Sequence, residues 1–247
     1  MTKQPLVVIW LLLNKAILTL LICGFTILIP YFLFTAAWYQ IIIAYIGMWF
    51  FCDIIFSTVY HRWIAHKYWT PPALAQKIFA VIGCASLVGN PIHYAQCHRT
   101  HHKFSDTELD PHSPKHKNFF RMTVLIHVNP FDTTLVNSQD LTSNKFFVQL
   151  MFVEGLIALA VAGTLYCLLP FTWFLTVWAV PVVSGLLCHL IAANWVAHRH
   201  GEPRDTPYYW FWMFGECRHK SHHDNNRMSH TKFDPGYHII RWLGWYR

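Results

Sequence analysis

Two long stretches of this chain carry almost no charge, and that limits its architecture more than any other feature. Between residues 4 and 52 the one formal charge is Lys15, and between 146 and 198 it is Glu154. A helix that crosses a bilayer needs about 20 mainly apolar residues. Two such segments begin in each stretch, 16–34 and 37–57 in the first, the latter running on past Asp53, and 146–168 and 172–193 in the second. The links inside each stretch are short and uncharged, Thr35-Ala-Ala in one and Leu168-Leu-Pro-Phe-Thr-Trp173 in the other. Each stretch therefore reads as a hairpin, and the expected fold class is an all-α membrane protein with four transmembrane helices. Composition agrees: charged residues make up 13% of the chain, about half the share in a soluble domain.

The remainder is polar. Residues 58–145 and 194–247 hold most of the acids, Lys and Arg. Within them, 73–92 is apolar but ends in Gly89-Asn90-Pro91, which suggests an interfacial or buried helix rather than a fifth crossing. Four spans return both termini to one side, so 58–145 and 194–247 form one cap within a single domain, 1–247. The far-side links lack Lys and Arg, so the cap side and both termini are expected to be cytoplasmic. The net charge of +7 then fits anionic headgroups or acidic carriers and partners, not nucleic acid. A bacterial inner membrane is the expected location, ahead of the endoplasmic reticulum. The seven Cys contain no Cys-x-x-Cys pair, and several lie in apolar runs, where a reduced, buried thiol is the default reading.

The chemistry lies in three histidine clusters on the cap side: His61-Arg-Trp-Ile-Ala-His66, His98-Arg-Thr-His101-His102 and His219-Lys-Ser-His222-His223. On a helix, residues i, i+3 and i+4 share a face, so each His-x-x-His-His can serve neighbouring metals. The spacing of five between His61 and His66 fits one helical face poorly and suggests a helix end or two different metals. Imidazole suits Zn, Cu, Fe and Ni, and a structural zinc site uses four ligands. Eight clustered imidazoles exceed that and point to two metals. Two irons with neutral ligands favour oxygen chemistry on an unactivated C–H bond over hydrolysis. Asp106, Glu108, Asp110, Glu216 and Asp224 are candidates to accept the second ring N–H of a ligating His. The His outside the clusters read as surface or packing residues, with His189 a functional candidate because it falls in an apolar span.

The clusters, with Asp106-Thr-Glu-Leu-Asp-Pro-His112 after the second and Phe233-Asp-Pro-Gly-Tyr-His-Ile-Ile240 after the third, resemble the membrane fatty acid desaturase family, in its Δ9 (stearoyl-CoA desaturase-like) branch. The resemblance runs from about residue 15 to 243. It implies four spans under a cytoplasmic di-iron cap, two Fe ions as cofactor and O2 as co-substrate. It adds His198 as a ninth ligand and places Asn194 near iron through water, from the match of Asn194-Trp-Val-Ala-His198. Many relatives carry Trp where this chain has Ile191; Trp195, one turn on, is the candidate replacement. Trp49 and Asp53 fall on the face of the second span that in this family closes the acyl tunnel. A helix-end Asp bonded to a neighbour is the plainer reading of Asp53.

The implied activity is an oxygen-dependent acyl desaturase forming a cis double bond in a chain carried on CoA, lipid or acyl carrier protein. No flavin, haem or Fe–S motif is apparent, so electrons come from a ferredoxin, cytochrome b5 or similar donor. The same scaffold also accommodates a di-iron lipid hydroxylase or acetylenase. A His-rich metal-binding membrane protein is the reading from a different class.

Overall fold

The computed structural model describes residues 4–127, 138–209, 214–227 and 230–246. Among them all regular structure is helical, with one isolated antiparallel bridge between Trp69 and Tyr246. Three helices are long and apolar enough to cross a membrane. They are α1 (Gln4–Thr35, of which Leu6–Thr35 is the apolar part), α2 (Trp38–Ala65) and the later Phe171–Val196. At 1.5 Å per residue each exceeds the roughly 30 Å of a hydrocarbon core. Their outward residues, such as Leu20, Ile27, Ile42 and Ile46, are exposed, as lipid-facing positions are.

The other expected span, 146–168, is not one helix. It divides into α7 (Lys145–Leu150) and α8 (Glu154–Leu168), with a break at residues 151–153. The break has a physical cause in α1. Asn14 donates from Nδ2 to the Phe152 carbonyl (3.1 Å), and its Oδ1 accepts from the Gly155 N–H (3.1 Å). It thus caps α8 from another helix. A Cβ on Gly155 would lie 2.5 Å from the Asn14 carbonyl oxygen, so this approach requires glycine. Lys15 pairs with Glu154 at 2.7 Å, both buried. Glu154 also accepts from the side chain of Asn90 (3.0 Å).

Between the spans lie α3 (Ala73–Ala85), α4 (Pro91–Phe104), α5 (Phe119–Met122) and α6 (Gln139–Thr142). α3 packs on α8 and α2 and stops at Ala85, so the apolar run 73–92 makes a short helix, then a turn. Asn90 caps α4 by accepting from the His93 N–H (2.9 Å), and Pro91 takes the first helical position. Glu154, Asn90 and Lys15 therefore fix where α4 begins relative to α1 and α8. After α9 (Phe171–Val196) come α10 (His219–Asp224) and α11 (Pro235–Trp242). The inner half of α9 packs on α1 and α2, while α4 and α11 pack on the inner half of α2. None of the seven cysteines is in a disulfide.

Candidate metal centre

α2 changes its winding in its inner half. From Phe50 to Ala65 its turns close i to i+5, and the His66 N–H still reaches the His61 carbonyl (3.2 Å). Wide turns of this kind recur at functional sites. Here they bring residues five apart nearly above one another, so His61 and His66 face the same way with ring centroids 4.9 Å apart. The wide turn makes up for a spacing that an α-helix would scatter. α9 does the same from Leu190 to Val196, ahead of His198.

Nine imidazoles gather in two adjoining groups. His61, His66, His98, His102 and His222 form one; His101, His198, His219 and His223 form the other, with the ligand atoms of each group within 4.8 Å of one another. In the first, Nε2 of His61 is 2.8 Å from that of His222, as is Nε2 of His66 from that of His98, and His222 is 3.0 Å from His102. In the second, His198 meets His219 at 2.7 Å, and His223 meets both His101 and His219 at 3.2 Å. The groups touch where His102 and His223 stack, centroids 4.2 Å apart.

The outer nitrogens show which way the protons face. His101 Nδ1 donates to Asp110 (2.9 Å), His198 Nδ1 to Asp106 (2.7 Å), and His61 Nδ1 lies 2.8 Å from Glu216 Oε1. With a proton on Nδ1, each neutral ring turns an Nε2 lone pair inward. Several lone pairs then converge at contact distance, an arrangement that only a cation makes favourable. Burial, followed by the neighbouring imidazoles, pushes His66, His98, His101, His219 and His222 well below the usual His range. His102 falls to about 3 for the same reasons. The rings are therefore neutral near pH 7, the form that binds metal. The donor set fits two metal ions.

A built outer layer holds these imidazoles. Asp106 and Asp110 belong to one turn: Asp110 accepts from the N–H groups of Asp106 and His112 (both 2.8 Å), and Asp106 takes a positive φ of 60°. Glu216 accepts from Ser57 Oγ (2.5 Å), one turn before His61. Burial alone would raise the Glu216 carboxyl, but His61 and then Arg62 outweigh it and hold it at about 2. Arg62 grips Asp234 with both terminal nitrogens, and Asp234 caps α11 by accepting from the Tyr237 N–H (2.8 Å). Of the five acids singled out in the sequence, Asp106, Asp110 and Glu216 touch rings of the two groups. Glu108 is exposed, and Asp224 pairs with Lys220 instead. Ser57 carried no sequence signal, because its partner is 159 residues away.

Beside the imidazoles lies a narrow cavity of about 50 Å³, lined by Phe56, Val88, Leu186, Leu190 and Asn194 together with His61, His98 and His219. His93, His112, His127 and His189 also line it, so four histidines outside the clusters are cavity wall. His116, His200 and His238 are exposed. The sequence-based tunnel residues lie elsewhere. Asp53 is buried and accepts from the Gly236 N–H (2.9 Å), tying α11 to α2. Trp49 packs against Tyr45, and Trp195 against Phe119 at 5.3 Å. Ile191 is half-buried, and it is positions 186, 189, 190, 193 and 194 of α9 that face the cavity. On another side, an open depression is lined by His66, His102 and His223 with Lys67, Arg99 and Lys103.

No protein-family model matches the chain. Curated proteins do. Delta-9 acyl-lipid desaturase 2 of Arabidopsis thaliana is 27% identical over 208 residues, 78% of this chain and 65% of that protein. The chloroplastic palmitoyl-monogalactosyldiacylglycerol delta-7 desaturase of the same plant is 31% identical over 66% of this chain and 47% of its own length. The sn-1 stearoyl-lipid 9-desaturase of Synechocystis is 26% identical, over 66% of this chain and 54% of that protein. The chain thus spans about half to two thirds of the length of these relatives.

Proposed function

We propose, for a chain homologous to acyl-lipid and acyl-CoA desaturases, an oxygen-dependent desaturase that forms a cis double bond in a saturated acyl chain. The balance is one CH2–CH2 unit, O2, two electrons and two protons giving one CH=CH unit and two waters. The observation that carries the reading is the pair of adjoining imidazole groups, five and four strong, beside a cavity with apolar walls. Two iron ions bound there would supply the reduction of O2 and the removal of hydrogen from carbon.

The chain's own residues do the rest. His61, His66, His98, His102 and His222 would hold one iron, and His101, His198, His219 and His223 the other. Asn194, on the cavity wall, would reach iron through a water. Glu216, Asp106 and Asp110 keep the ligand lone pairs inward. Phe56, Val88, Leu186 and Leu190 offer a dry wall to methylenes and exclude bulk water. Electrons would enter from a ferredoxin, cytochrome b5 or similar donor. The acyl carrier would be CoA, a lipid or acyl carrier protein. Four crossings, with α7 and α8 together making the third, would put the cap and both termini in the cytoplasm.

Expression in a desaturase-deficient host, with fatty acids profiled by mass spectrometry, tests the activity. A new cis-monounsaturated acid that disappears in His101→Ala and His222→Ala is the expected result. A hydroxylated product would reassign the outcome on the same centre, and full activity in His101→Ala would overturn the reading.

A further inference from the structure

The helix α11 leaves its apolar residues open. Trp242 is 85% exposed, and Phe233 just before the helix is 65% exposed. Ile239 and Leu243 are also exposed. The opposite face is firmly seated. Ile240 is buried, and the Gly236 N–H donates to Asp53. A Cβ on Gly236 would lie 1.9 Å from Thr58 Oγ1, so the helix start rests directly on α2. The chain after α11 returns to the same region, with Trp245 stacked on Trp69 (5.7 Å) and its carbonyl accepting from the Thr70 N–H (3.2 Å).

That seat fixes the depth. Asp53 and Thr58 lie up to about 22 and 30 Å along α2 from Trp38, at 1.5 Å per residue in its α-wound part and less in the wide turns from Phe50 on. A hydrocarbon core about 30 Å thick that starts near Trp38 ends at this level. Apolar residues near these contact points are open: Phe50, three residues before Asp53, is 50% exposed, and Leu74, four residues after Thr70, is 70% exposed. Lys232 and Arg241 are exposed beside the open face of α11, cations that suit anionic headgroups. Tryptophan favours the zone between hydrocarbon and water.

We propose that residues 233–243 are an interfacial anchor whose partner is the bilayer itself, with Trp242 and Phe233 at headgroup depth. The anchor is wired to the metal centre, since Asp234 both caps α11 and is gripped by Arg62, the neighbour of His61. The proposal rests on the membrane reading of α1, α2 and α9, not on the desaturase reading.

The test uses the intact protein in nanodiscs of phosphatidylcholine and phosphatidylglycerol. The chain has 12 tryptophans, so the fluorescence lost in Trp242→Phe isolates the contribution of Trp242. Lipids brominated near the headgroup end of the acyl chain should quench that contribution several-fold more than lipids brominated near the methyl end. Aqueous iodide should quench it weakly. Dominant quenching by iodide would place the face in water, and protection from bromine and iodide alike would mean that protein covers it; either result overturns the proposal. A second reporter, Phe233→Trp in the Trp242→Phe background, must give the same pattern. None of these readouts depends on activity, so this anchor and the desaturase reading fail separately.

Discussion

At the scale of single residues, the centre depends on imidazoles that stay neutral and correctly turned. In the metal-free protein His66, His98, His101, His219 and His222 are held below their unfolded value, so the unfolded chain binds more protons. Their contribution to stability is complete above the unfolded pKa near 6.5 and is lost as pH falls from there toward the folded values, about 3 for His102. Protons and metal compete for the same nitrogens. Metal affinity, measured by chelator competition, should therefore persist as pH falls through 6.5 and decline steeply only toward those lowered folded values, because several rings then titrate together. Glu216 makes a sharper case. Glu216→Gln keeps the shape but gives up the charge beside His61 Nδ1 and Arg62. Loss of such an outer partner costs about 10–100-fold in metal affinity. Half of the bound metal, that of the His61 group, should exchange faster in Glu216→Gln while the other half is retained. Eight of the nine grouped imidazoles were visible in the sequence through their spacing, and His198 came only with the family resemblance. Ser57 was not, since hydroxyl residues are common in helices and only folding brings this one to Glu216.

At the scale of elements, composition located the helices and hydrogen bonding adjusted them. The uncharged stretches announced α1, α2 and α9, because apolar length is a one-dimensional signal. The wide turns of α2 were not legible, although the spacing of His61 and His66 was their trace: two ligands five apart need a helix that closes i to i+5. The break before α8 was hidden for another reason. Its cause, Asn14 and Lys15, lies some 140 residues earlier, and nothing in residues 146–168 alone marks the interruption. The Lys15–Glu154 pair also anchors Asn90, the cap of α4, which carries His98, His101 and His102. Removing one member of a buried pair leaves the other charge uncompensated, at a cost of about 3–5 kcal/mol. Lys15→Met should therefore lower the thermal midpoint in detergent markedly, with loss of metal from the α4 ligands. Lys15→Met combined with Glu154→Gln should recover much of that loss, because no bare charge remains and the Gln can still accept from Asn90. A double variant no better than the single one would show that the pair works through geometry alone.

At the scale of the whole molecule, different imidazoles of the two groups line two openings of different character. One is the narrow cavity with apolar walls. The other is the open depression where His66, His102 and His223 meet Lys67, Arg99 and Lys103. A proposed substrate chain and a proposed electron donor would then approach the metals from different sides, without competing. Arg99 is committed to structure: it binds the Ala65 carbonyl (2.8 Å) and Asp140 with both terminal nitrogens. Burial would raise the Asp140 carboxyl, but Arg99 and Lys67 outweigh it and hold it at about 2. Lys103 is the more dispensable cation, its ammonium lying over the Phe104 ring at 5.1 Å. Complementary charge mainly sets the rate of encounter, and salt screens it. Lys103→Glu should therefore slow turnover driven by an acidic protein donor at low ionic strength and flatten its salt dependence. Metal content should stay unchanged, and so should the rate of reduction of the loaded centre by dithionite, whose small ions need no docking face. Equal loss with both reductants would mean that the substitution disturbs His102 next door, and the donor would have to be sought on another part of the cap.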